Sequence, residues 1–174
     1  MTATIPDTPF NLTKVRIVGT NDGDILGMPG VMHDRIMLSG MEAGGGFALV
    51  EQLLPPRMLA APLHRHTRED EYSYVLEGRV GALLGNVEVF GDAGQLICKP
   101  RGQWHTYWNA GDEPLRILEM ISPGGFEQAF RELNALGEAA TPEAISRISN
   151  RYGVEVDFEG TPPIINRHGL EFWA

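Results

Sequence analysis

A chain of 174 residues fits one domain that buries on the order of 70 % of the surface its unfolded form exposes, so it needs no disulfide staple. Its 43 % hydrophobic and 21 % charged content excludes a disordered or membrane-embedded chain, and a net charge of −9 with a pI near 5.0 excludes the basic footprint of a nucleic-acid or anionic-membrane binder. The single cysteine, Cys98, cannot form an intrachain disulfide, and residues 1–7 show neither the basic nor the apolar region of an export signal, so the expected location is cytoplasmic and the expected partner a small molecule.

Residues 1–12, rich in Pro and Thr, read as an extended arm. Residues 14–18 alternate, Val15 and Ile17 flanking Arg16, which predicts a strand, and Asn21-Asp22-Gly23-Asp24 predicts a turn. Residues 35–39 and 47–54 read as further strands around Gly44-Gly45-Gly46; neither a Gly-x-Gly-x-x-Gly nor a Gly-Lys-Ser/Thr spacing accompanies those glycines, so they are not a nucleotide loop. Pro55-Pro56 and Pro62 favour a sheet edge before residues 64–71, His-Arg-His-Thr-Arg-Glu-Asp-Glu.

After that cluster, residues 71–76 form an aromatic and branched strand ending at Glu77-Gly78. Turn signals then recur at Gly85-Asn86, residues 91–94, residues 100–102 and residues 109–112, the spacing of an antiparallel sandwich or barrel. Beyond Pro123 the period changes: Phe126, Ala129, Phe130, Leu133 and Leu136 share one helix face, which Gly137 stops. Thr141-Pro142 opens a second helix, with Ile145, Ile148 and Tyr152 on its stripe. Both stripes read as core, and residues 158–174 read as extended. The predicted division is a barrel over 13–122 with helices and tail of the same domain over 123–174.

His64 and His66 lie two apart on a strand, so their side chains share a face roughly 6.6 to 6.8 Å apart along it, and both rings can reach one ion. A carboxylate shortly after and a third imidazole, His105, would complete three nitrogens and one oxygen, a set that suits a divalent transition metal. Glu69 and Glu71 compete for the carboxylate place.

These residues fall into two spaced motifs. His64, His66, Glu71 and Gly78 meet the pattern His-x-His, three or four residues, Glu, six residues, Gly; Gly94, Pro100, Gly102, His105 and Asn109 meet Gly-x5-Pro-x-Gly-x2-His-x3-Asn. In both the sequence resembles the cupin superfamily, and in its wider layout the single-domain cupins grouped with quercetin dioxygenases. One departure stands: the glycine usual six residues before the first histidine is Met58. The resemblance implies an all-β fold, a six- to eight-stranded jelly-roll β-barrel, here with two C-terminal helices packed on it. It implies metal ligands at His64, His66, Glu71 and His105, so Glu71 is preferred and Glu69 is left as a solvated loop charge.

If His105 faces inward, alternation sends Tyr107 and Asn109 inward and Trp104, Thr106 and Trp108 outward; Glu71 inward implies Ser73 and Val75 inward. Ser73, Val75 and Tyr107 are therefore the expected substrate-pocket walls. Trp108 and Tyr74 are expected against the helices or a second subunit, and Cys98 as an inert small hydrophobe in a strand interior. The resemblance implies one divalent ion (Fe, Mn, Ni, Cu, Co or Zn), a homodimer, and dioxygenase action on a small enolizable or phenolic, flavonol-like compound with O2 as co-substrate and Glu71 as general base. A metal-dependent isomerase, lyase or cyclase, and a binding module without catalysis, are the alternatives.

Overall fold

The computed structural model describes residues 17–28, 30 and 32–172; the arm expected over 1–12 lies outside them. Two antiparallel sheets face each other. The first runs in the order β1 (Asp24–Met28), β2 (Met32–Leu38), β3 (Ala48–Leu54), β10 (Leu115–Ser122), β5 (Asp70–Glu77), β8 (Leu96–Lys99). The second runs β11 (Val154–Asp157), β4 (Leu63–His66), β9 (His105–Asn109), β6 (Arg79–Leu84), β7 (Val87–Asp92). Among the described residues the two sheets hold eleven strands, more than the expected six to eight, with β1 and β11 at sheet edges.

Strict alternation places the core. In β3, Ala48, Val50, Gln52 and Leu54 point inward, and in β10, Leu115, Ile117, Glu119 and Ile121 do. Leu54, Val75, Val80, Ala82, Tyr107, Leu115 and Ile117 pack together at one end of the sandwich. At the other, Val50 and Ile121 meet Phe126 and Ile148 of the helical layer, so both helix stripes bury against the sheets as their periodicity predicts. Gly40 and Gly124 let that layer approach closely: a Cβ on Gly124 would lie 2.4 Å from the Gly40 Cα. Glu127, fully buried, closes the junction by accepting from the Gly40 and Gly125 amides at 2.8 and 2.7 Å.

Helices α1 (Glu127–Asn134) and α2 (Pro142–Arg151) match the two expected. The Thr141 hydroxyl caps α2 by accepting from the Ala144 amide, with Pro142 at the first helical position. Thr141→Ala is expected to cost about 1 kcal/mol of unfolding free energy, read from urea titration.

Three expectations are corrected. Of the strand expected over 14–18, residues 14–16 lie outside the described ones and residues 17 and 18 form none; Ile17 is 88 % exposed, and among the described residues the first sheet begins at β1. The tail is not extended throughout: Pro162–His168 form a helix, α3, bracketed by proline at its start and left-handed Gly169 at its end. It covers Trp108, 1 % exposed, together with Leu59, Ile164 and Leu170, so the outward tryptophan is buried by the segment read as extended. Cys98 is exposed rather than interior, because alternation in β8 turns Ile97 and Lys99 inward. Tyr74 is open to solvent on the single chain. No helix among the described residues is long and apolar enough to cross a membrane.

Candidate metal centre

The strands bring His64, His66, Glu71 and His105 together, all buried, with one ligand atom from each within 4.8 Å of the others. The two histidines of β4 share a face, β9 sets His105 directly opposite His64, and β5 supplies Glu71 from the facing sheet. Asn109, the last residue of the second motif, serves the scaffold: its amide donates to the Leu54 and Glu113 carbonyls and its oxygen accepts from the Gly111 amide, tying β9 to the turn that follows.

Each imidazole has its Nδ1 occupied by an acceptor: His64 by the Pro62 carbonyl at 2.7 Å, His66 by Glu69 Oε2 at 3.1 Å, His105 by the Gln103 carbonyl at 3.1 Å. A carbonyl or carboxylate accepts only, so all three rings carry their proton on Nδ1 and turn an Nε2 lone pair inward when neutral. There His105 Nε2 meets Glu71 Oε2 at 3.1 Å, and His66 Nε2 lies 3.3 Å from Glu71 Oε1 in no hydrogen bond at all. Lone pairs facing a carboxylate repel unless a cation or proton lies between them. Three imidazoles and a carboxylate in that relation fit a divalent transition ion.

Charge tuning favours the same use. Burial, with His105 and His66 nearby, holds His64 well below its ordinary pKa, and burial lowers His105, so both are neutral donors. Burial also opposes charge on His66, but Glu71 and Glu69 outweigh it and raise its pKa; a metal must displace that proton. Burial pushes the Glu71 carboxyl up, yet His66, Lys99 and His105 win and hold it well below the usual carboxylate range.

Glu69 is not a solvated charge. It is 6 % exposed and orients His66 through Nδ1, because the short loop after β4 folds back on the strand. Glu69→Gln is therefore expected to weaken metal binding by roughly 10- to 100-fold while leaving all four ligands in place, measured by competition with a chromophoric chelator; unchanged affinity would remove Glu69 from the site.

Six more residues complete the interior. Lys99, fully buried, pairs with Glu71 Oε2 at 3.1 Å and Glu119 Oε1 at 2.9 Å, and its ammonium lies 4.3 Å from the Tyr107 ring centre. Ser73 donates to Glu119 Oε2 at 2.6 Å. Burial raises the Glu119 pKa in spite of Lys99, whereas Glu119 and Glu71 hold the Lys99 pKa up against burial. The Tyr107 hydroxyl donates to Gln52 Oε1, and Gln52 Nε2 donates to Asp34 Oδ1 at 2.7 Å.

A cavity of about 440 Å³ opens beside the cluster, lined by His64, Glu71, Glu119, Tyr107, Gln52 and Asp34 and otherwise mostly by apolar groups such as Met32, Leu54, Phe126, Leu133 and Ile145. Of the expected pocket walls, Tyr107 lines it; Ser73 and Val75 point inward but are covered, Ser73 against Glu119 and Val75 in the core. The sequence signal for the missed residues is polarity in an apolar alternation: Glu119 between Ile117 and Ile121, Gln52 between Val50 and Leu54, Lys99 after Ile97.

Residues 50–121 match the family described as Cupin domain. Tetracenomycin polyketide synthase protein TcmJ of Streptomyces glaucescens is 31% identical over 85 residues, 49% of this chain and 56% of that protein. Germin-like protein subfamily T member 2 of Arabidopsis thaliana is 28% identical over 116 residues, 63% of this chain and 47% of that protein. The chain thus spans about half the length of these relatives. Among solved structures, a predicted oxalate decarboxylase from Thermotoga maritima superposes with a TM-score of 0.56 at 21% identity, covering 62% of this chain and 99% of that one, a likeness of fold. With both motifs seated on facing strands around one His-His-Glu-His cluster, residues 50–121 of the chain form a cupin domain.

Proposed function

We propose that the protein is a metal-dependent dioxygenase acting on a small enolizable or phenolic, flavonol-like compound. The observation that carries this reading is the buried three-histidine, one-carboxylate set opening onto a mostly apolar cavity of about 440 Å³, room for a compound of two or three rings. The relative named for a polyketide synthase supports the substrate class, since polyketides are enolizable and aromatise to phenols. When bound at His64, His66, Glu71 and His105, a divalent Fe, Mn, Ni, Cu or Co ion would supply Lewis-acid polarisation of an enolic oxygen and access to O2 chemistry, whereas Zn would supply polarisation alone.

The chain's own groups do the rest. The apolar walls exclude water and hold the rings. Glu71 takes the enol proton at Oε1, the oxygen Lys99 leaves free, while the pair from Lys99 to Oε2 steadies the carboxylate. With its pKa held low, Glu71 would take a proton only from an enol or phenol whose acidity the bound ion raises. A homodimer belongs to the same proposal: Tyr74 and Leu96, paired across β5 and β8, leave adjoining apolar surface exposed.

Oxygen uptake on adding a flavonol to the protein as purified, stoichiometric with its disappearance, is the expected result. Turnover under strict anaerobiosis would overturn it in favour of an isomerase, lyase or cyclase. Binding with no turnover in a broad metabolite screen would leave a binding module.

A further inference from the structure

Asp34 stands out among the groups facing the cavity. It sits on β2 opposite Gln52 of β3, three strands and roughly 14 Å across the sheet from the strand that carries Glu71. Around it the cavity is lined by Leu26, Met32 and Leu54. Its Oδ1 accepts from Gln52, and among the described residues its Oδ2 has no hydrogen bond and no paired cation. Every proton in the local network runs the same way: Tyr107 donates to Gln52, and Gln52 donates to Asp34. The chain of donors ends on a carboxylate that can only accept when ionised.

Such a group is costly. Burial pushes its pKa up to about 6 against the opposing hydrogen bond from Gln52, so near neutral pH it is charged in surroundings that disfavour charge. A ligand that donates a hydrogen bond would offset that cost.

We infer that Asp34 is a specificity-determining anchor at the β2–β3 wall, accepting at Oδ2 a hydrogen bond from a hydroxyl or amino group on the part of the substrate remote from the metal cluster. The inference rests on the reading of this cavity as the substrate site, and is independent of what reaction follows. The Asp34–Gln52–Tyr107 chain fixes the carboxylate in place, and the apolar flanks receive the ring that bears the donor. Compounds with a methyl group in place of that donor leave Oδ2 buried and unpaired, and are rejected for that reason.

The test compares 4-phenylphenol with 4-methylbiphenyl, equal in shape and different in the donor, binding to the protein as purified and followed by calorimetry. Wild type is expected to prefer the phenol by roughly tenfold or more. Asp34→Ala should bring the ratio close to one. Asp34→Asn, which keeps the shape and its bond with Gln52, should lose most of the preference while raising the melting temperature at pH 8, because a charge that the half-buried position disfavours is gone. Equal affinities in wild type, a preference that survives in both variants, or failure of both compounds to bind overturns the inference. Failure of the dioxygenase reading shows in oxygen uptake and leaves this binding ratio untouched.

Discussion

His66→Ala is expected to release metal from the purified protein, with affinity falling by more than the roughly 10- to 100-fold that loss of a ligand's hydrogen-bond partner costs. His66 is the ligand whose ring is most fully determined by its surroundings: Glu69 holds Nδ1, Phe126 lies edge-on 4.5 Å from the ring, and Nε2 faces the site with no protein hydrogen bond. Removing the ring also leaves the Glu69 carboxylate buried with no imidazole to pair with. Elemental analysis after dialysis should show metal lost in the variant and retained in His33→Ala, a cavity histidine outside the set. Full occupancy in His66→Ala would break the proposed ligand set. The same competition gives a pH dependence: with the His66 pKa raised in the metal-free protein, protons displace metal as pH falls through that value, and affinity recovers above it.

The ligand set was legible because two motifs fix spacing, and strand alternation turns spacing into direction. His64, His66 and His105 needed only period two and one antiparallel pairing to converge. What holds those ligands was less legible, since it comes from pairing between distant strands. Lys99 reaches Glu71 because β8 pairs with β5 in the register Glu71 to Lys99, and Glu119 reaches Ser73 because β10 pairs with the other edge of β5. No local pattern states either register. Glu69 was misread for a related reason: three residues from His66, it looks like loop charge until the loop's backward turn is known.

The fold shows the same division. Helices α1 and α2 announce themselves by long apolar stripes and a Thr-Pro start, whereas α3 is seven residues whose opening prolines suit an extended segment as well as a helix start. Its partner, Trp108, lies more than fifty residues earlier, so only the packed structure shows that the tail is needed to cover it.

Lys99→Met is expected to destabilise the protein by roughly 3–5 kcal/mol, because breaking a buried ion pair leaves its partners uncompensated. Here the partners are two carboxylates, Glu71 and Glu119, each within 3.1 Å of the one ammonium and both almost wholly buried. For a chain of this size such a loss lowers the melting temperature on the order of 10 °C. The effect has a pH signature. Glu119 already has a raised pKa in the folded state, and without Lys99 it rises further, so the folded variant binds a proton that the unfolded chain releases near its ordinary value. The variant's deficit is then largest above that raised pKa and shrinks as pH falls towards the unfolded value. Lys99→Met combined with Glu119→Leu removes the cation and one anion together and should recover much of the loss, since an apolar pair of similar volume can replace a buried ion pair at little cost. Urea titrations of wild type, both single variants and the double variant at pH 5 and pH 8 measure the coupling. A loss below about 1 kcal/mol in Lys99→Met at pH 8 would mean that Lys99 does not carry the buried charge balance of the site.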